Sequence, residues 1–132
     1  MSITPNRDQF VAYASNERPG EVVMVNLLKF KKQAEGDGGT GAEAYGRYSD
    51  AVVSQVEARG GRLVWIGRVE NVLIGDTEAD SWDVVALVAY PSRQAFIDMV
   101  SAPEYQEAHT HREAGLERTV LLGCEETTPV TR

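Results

Sequence analysis

The sequence predicts an α+β fold in which a four-stranded sheet carries helices on one face. Three features lead to this. Four apolar runs have strand character. Segments with apolar steps of three and four separate them in the order β-α-β-β-α-β. Glycine and proline mark most of the junctions. The 132 residues fit a single domain, with an N-terminal helix over about 4–16 and a core over about 20–125.

The elements follow in order. Thr4 before Pro5 predicts a helix start, and Phe10, Val11 and Ala14 give it a short apolar stripe. Pro19 and Gly20 end it. The run EVVMVNLLKFKK, residues 21–32, reads as a buried strand with Asn26 set among Val25, Leu27 and Leu28. The loop KKQAEGDGGTG follows. Tyr45, Tyr48, Val52 and Val56 then mark one face of a helix that Gly60 and Gly61 stop. RLVWIGRVENVLIG alternates around Leu63, Trp65 and Gly67, and TEADSWD is a turn. VVALVAY is apolar on both sides. Phe96, Met99 and Val100 define a helix face, and Pro103 restarts a helix that runs to Gly115. LERTVLLGCEE is the last strand, and the tail TTPVTR looks loose.

Two βαβ-like halves around a central antiparallel pair make a ferredoxin-like sheet. One helical layer cannot hide both faces of strands as apolar as VVALVAY and EVVMVNLLKF. The uncovered face is therefore expected to pack on a second copy, as a two-fold dimer.

Thirteen basic residues against twenty acidic ones give a net charge of −7, which disfavours a phosphate backbone as partner, so no nucleic-acid binding is expected. No apolar run is long enough to span a membrane, and MSITPNRDQF lacks a signal-peptide pattern. Cys124 is the only cysteine, which suits a reducing, cytoplasmic setting.

Residues 36–41, GDGGTG, match G-x-G-x-x-G, but KKQAE separates them from the strand, and Glu35 and Asp37 would repel phosphate. A mobile lid fits this loop better than a nucleotide site. His109 and His111 are two apart on a helix and point to nearly opposite sides, so no metal site and no cofactor are expected. Tyr105, His109 and Arg112 line one side of the same helix. Arg112 could hold a carboxylate, and His109 could move a proton near neutral pH; a solvated, salt-bridged helix face is the alternative. A buried Asn26 must hydrogen-bond backbone, partner or ligand, because an unpaired carboxamide costs about 1–3 kcal/mol. On a strand it shares a face with Met24, Leu28 and Phe30.

VVMVNLLKF, the paired Tyr45 and Tyr48, GGRLVWIG, SWDVVALVAYPSR and EYQEAHTHREAGLERTVLL together resemble domain of unknown function family 1330, of the dimeric α+β barrel superfamily. The resemblance covers roughly residues 20–125 and implies a ferredoxin-like fold whose two sheets form a barrel across the dimer. The N-terminal helix resembles an extension seen in a subset of such proteins. Asn26, Trp65, Trp82, Asp83, Tyr90, Ser92, Arg93, His109, His111 and Arg112 occupy signature positions. The family has no established reaction, and its superfamily includes cofactor-free monooxygenases, lactone isomerases, decarboxylases and haem enzymes.

In such relatives the pocket lies between sheet and helices. In such a pocket His109 is expected to act as general acid or base, Arg112 to anchor a carboxylate or oxyanion, and Asp83 to fix the histidine tautomer. Asn26, Tyr48, Trp65 and Tyr105 would contact the ligand. The expected function is metal-free proton transfer, or cofactor-independent oxygenation, on a small carbonyl or carboxylate compound. A non-catalytic metabolite-binding or structural dimer is the alternative.

Overall fold

A computed structural model describes residues 4–16, 18–36 and 39–127. Its elements are α1 (Arg7–Ser15), β1 (Val22–Phe30), α2 (Gly41–Ala58), β2 (Arg62–Arg68), β3 (Val84–Tyr90), α3 (Arg93–Ser101), α4 (Pro103–Gly115) and β4 (Leu116–Cys124). The strands form one antiparallel sheet in the order β2-β3-β1-β4, which is the expected βαββαβ arrangement with its second crossover split into two helices.

Local chemistry accounts for the helix starts. Asn6 caps α1 in a reciprocal box with Gln9, so the helix begins two residues later than a Thr4 cap would put it. Thr40 and Glu43 form the same box on α2, Ser92 caps α3, and Pro103 opens α4. Gly60 takes the left-handed turn after α2, with φ of 80°. Gly115 does not play that part, since β4 follows α4 directly. A Cβ on Gly115 would lie 2.5 Å from the Gly41 carbonyl oxygen, and one on Gly41 would collide with the Lys31 carbonyl. The two glycines let α2 and α4 touch backbone to backbone.

Val22, Met24, Asn26 and Leu28 share the helix-bearing face of β1. Val22 and Met24 join Val52, Val56, Tyr90, Met99, Tyr105 and Ala108 in one buried cluster. The opposite face carries Val25 and Leu27 beside Leu87 and Val85, with Val120 and Leu122 on β4. None of these six belongs to the core cluster, and Leu122 is 48 % exposed.

Three expectations change. First, β2 has a register shift between Leu63 and Trp65. Leu63 pairs with Val88 on the helix side, whereas Trp65 pairs with Leu87 on the other. One extra residue inverts every later side chain, so Trp65 stands on the outer face, 55 % exposed, and packs over Gly67. Second, pairing stops at Arg68. Residues 69–83 form a loop tied by Asp76, which accepts from the Glu78 and Ala79 amides, and by Arg118, which donates to the Glu78, Ala79 and Ser81 carbonyls. Third, the stretch leading into the glycine-rich loop is fastened to α4. Ala34 is buried, and the Lys31 and Glu35 amides donate to the Gly115 and Ala114 carbonyls, so the loop satisfies the C-terminal end of α4. Asp37 and Gly38 lie outside the described residues, as does most of the tail TTPVTR.

Candidate functional site

A cleft of about 1620 Å³ runs between the helix-bearing face of the sheet and α1, α2, α3 and α4. Its polar end is built where α2 and α4 cross. Tyr45 and Tyr48, one turn apart on α2, meet Tyr105, His109 and Arg112, one turn apart on α4. Asn26 on β1 also lines the cleft.

The rings interlock. Phe30 stacks obliquely on Tyr45, Tyr45 on Tyr48, and Tyr48 meets Tyr105 edge-on at 5.9 Å between centroids. The Tyr48 and Tyr105 hydroxyls share one hydrogen bond of 2.9 Å. Two phenols bring two protons to that single contact, so the second proton is directed elsewhere. Arg112 is 6 % exposed, hydrogen-bonds the Tyr45 side chain and lies 6.0 Å from the centre of the Tyr48 ring.

Burial sets the charge states. It pushes the Tyr45 phenol up to about 12, although the Arg112 charge opposes this, and it holds Tyr48 well above its ordinary value. Both stay protonated at neutral pH and can donate. His109 moves the other way. Burial disfavours its imidazolium, the Arg112 cation repels it, and Glu113 only partly compensates. The Glu113 carboxylate lies 3.6 Å from Nε2, while Nδ1 is sealed from water without a hydrogen-bond partner. The polar end therefore combines a buried cation, protonated phenols and a neutral imidazole, a set that favours an anion.

Asn26 is largely satisfied by backbone. Its Nδ2 donates to the Ala86 carbonyl at 3.2 Å and, more weakly, to Met24 at 3.4 Å, which braces β1 against β3 beneath the cleft. Two other expected residues are not brought to the site. Asp83 accepts from the Phe30 amide at 2.8 Å and pairs with Lys29 at 3.4 Å, so it fastens the end of the sheet; Glu113, one turn along α4, stands beside His109 instead. Trp65 faces away from the cleft because of the β2 bulge. His111 and Trp82 do not line it either, and Arg118 stacks on the Trp82 ring at 4.2 Å.

Sequence reasoning missed Tyr45 as a site residue, because its apolar helical spacing already explained it. It also missed Glu113 as the partner of His109, although the i,i+4 spacing was visible.

The family model for a domain of unknown function, DUF1330, matches residues 39–123. The chain belongs to the DUF1330 family. The matched segment holds Tyr45, Tyr48, Tyr105, His109 and Arg112 of the polar end, whereas α1 and β1, with Asn26, precede it. Among solved structures, a protein of unknown function from Rhodopseudomonas palustris is similar over 96 % of this chain and 98 % of its own, with 36 % identity and a TM-score of 0.90. A dabb-family protein with a ferredoxin-like fold from Mesorhizobium loti is 11 % identical over 83 % of this chain and 99 % of its own, at a TM-score of 0.56. A dimeric protein of unknown function with a ferredoxin-like fold from Bacteroides fragilis is 11 % identical over 80 % of this chain and 96 % of its own, at 0.54. These last two share the ferredoxin-like fold with the DUF1330 chain. No curated protein matches it. Among the described residues, no helix is long and apolar enough to cross a membrane.

The lowered histidine value has a definite consequence for stability. The unfolded chain binds the His109 proton more tightly than the folded one. The fold is thus at full strength above the ordinary imidazole value near 6.5, and it weakens as pH falls below that value through the lowered native one. An NMR titration of the His109 ring should give a midpoint below 6.5; a midpoint above it would mean that Glu113 outweighs burial and Arg112.

Proposed function

We propose that the DUF1330 chain binds a small organic carboxylate that carries an enolisable carbonyl, and that His109 exchanges a proton next to that carbonyl. The observation that carries this reading is the company kept by Arg112: a buried guanidinium, protonated phenols and a neutral imidazole along one cleft. Arg112 anchors the carboxylate with its planar fork of donors. The hydroxyl proton that Tyr48 and Tyr105 do not share stabilises negative charge as it develops on the carbonyl oxygen. His109 is in its base form near neutrality. It takes the proton from carbon, Glu113 steadies the resulting imidazolium, and the proton returns to carbon or oxygen. Asn26 supports the floor of the cleft.

Enolisable keto acids incubated with the protein in heavy water provide the test. Wild type should exchange the hydrogens next to the carbonyl, and His109→Ala should lose that exchange while still binding. Arg112→Gln should weaken binding by about tenfold or more, the scale of a charge-assisted hydrogen bond. Tight binding without exchange in wild type would mark a metabolite-binding module instead. Binding indifferent to Arg112→Gln would reject the anchor.

The same proposal includes a homodimer. Val25, Leu27, Val85, Leu87, Val120 and Leu122 present a continuous apolar sheet face, with Trp65 at its β2 edge. A second copy packed face to face would remove this surface from water. Sedimentation should give twice the chain mass at micromolar concentration, and Leu87→Lys should shift it towards the single chain. A wild-type protein that sediments as a single chain would overturn the dimer.

A further inference from the structure

The outer face of the sheet ends in a raised rim. β2 and β4 are opposite edges of the sheet, yet the loop that leaves β2 at Arg68 reaches Arg118 of β4 before it returns to β3. It crosses three strand spacings, about 14 Å. The crossing lies on the outer side. Leu27 pairs with Val120 on that face, so alternation puts Lys29 and Arg118, two residues along each strand, on it as well. Arg118 donates to the Glu78, Ala79 and Ser81 carbonyls and stacks on Trp82, while Lys29 holds Asp83. Residues 69–83 thus stand along one end of the apolar face.

The rim is fixed by its own hydrogen bonds. The Asp76 amide donates to the Asp80 carboxylate at 2.8 Å, and the Ser81 hydroxyl donates to the Glu78 carbonyl. Gly75 has φ of 136°, and a Cβ there would lie 2.8 Å from the Asp80 carboxylate. Next to this braced turn come Leu73 and Ile74, 88 and 93 % exposed, the most exposed large apolar side chains among the described residues. A single exposed aliphatic residue is ordinary. Two in succession, on the rim of a sheet face that is itself apolar, extend that face into a larger contact surface.

The charge of the loop narrows what can cover them. Glu70, Asp76, Glu78 and Asp80 are exposed on it, and the whole chain carries −7, which disfavours an anionic lipid surface. A second copy seated on the outer face, in contrast, meets the rim wherever the two sheets overlap fully.

We infer that residues 69–75 are a dimer arm: Leu73 and Ile74 of each copy close over the flank of the other, at the end of the shared sheet interface. This inference rests on the homodimer reading. It adds a contact outside the sheets that two-fold symmetry supplies twice.

Sedimentation of the full chain over a dilution series tests it, with the double substitution Leu73→Ser, Ile74→Ser set against unaltered protein and against Val11→Ser on α1. The double variant takes four aliphatic side chains out of the dimer, so its dissociation constant should rise by about a hundredfold or more, whereas Val11→Ser should leave it unchanged. Both replaced side chains are exposed, so the far-ultraviolet circular dichroism of the variant should match that of unaltered protein. Amide exchange in residues 70–75 of unaltered protein should also slow as concentration rises through dimerisation. A dimer equally tight in the double variant, or exchange in 70–75 that ignores concentration, would overturn the arm and leave the sheet interface. Unaltered protein that stays a single chain would overturn the dimer and the arm together.

Discussion

The contact between Gly41 and Gly115 is the constraint on which the rest of the site depends. Without side chains there, α2 and α4 approach until the backbone of one meets the carbonyl of the other. The same junction receives the end of β1, since Gly41 donates to the Lys31 carbonyl and Lys31 donates to the Gly115 carbonyl. Three elements are pinned at one point, and the cleft opens away from it. Tyr45 and Tyr48 follow Gly41 by one and two turns; Arg112, His109 and Tyr105 precede Gly115 by one, two and three. Pinning the helices at their glycines thus decides which side chains meet.

Electrostatic consequences follow from that packing. A guanidinium 6 % exposed is costly to bury, and here it lies among phenols, which donate hydrogen bonds and offer ring faces. The arrangement raises the phenols and lowers the imidazole through a shared cause, loss of water. Arg112 then acts on both: it eases ionisation of Tyr45 and opposes protonation of His109. A carboxylate placed there would meet a cation already shielded from water, where charge-assisted hydrogen bonds are strong. The buried, unpartnered Nδ1 of His109 fits the same picture, because an imidazole that cannot satisfy both nitrogens resists taking a second proton.

Much of the architecture was legible because periodicity and punctuation agree. The order of strands and helices, the turn at Gly60 and the shared face of Tyr105, His109 and Arg112 are all local patterns. The failures came from non-local or single-residue effects. Alternation placed Leu63 and Trp65 together, but the bulge between them is invisible to a period-two reading. Asp83 seemed free to orient a histidine, yet tertiary pairing gives it to the Phe30 amide and Lys29. Nothing local in KKQAE signalled that the orphan carbonyls at the end of α4 claim the Lys31 and Glu35 amides. The Gly41–Gly115 contact was hidden as well, since one glycine read as part of a loop and the other as a helix stop.

The central claim is that the α2–α4 crossing creates an anion site at Arg112. Anomalous diffraction from crystals soaked in bromide tests it most directly, since bromide carries charge without shape or tail. The account predicts an ordered bromide at the polar end of the cleft, within hydrogen-bonding reach of the Arg112 guanidinium and a phenol hydroxyl. Bromide confined to surface lysines and arginines, with protein side chains closing the space around Arg112, would contradict it.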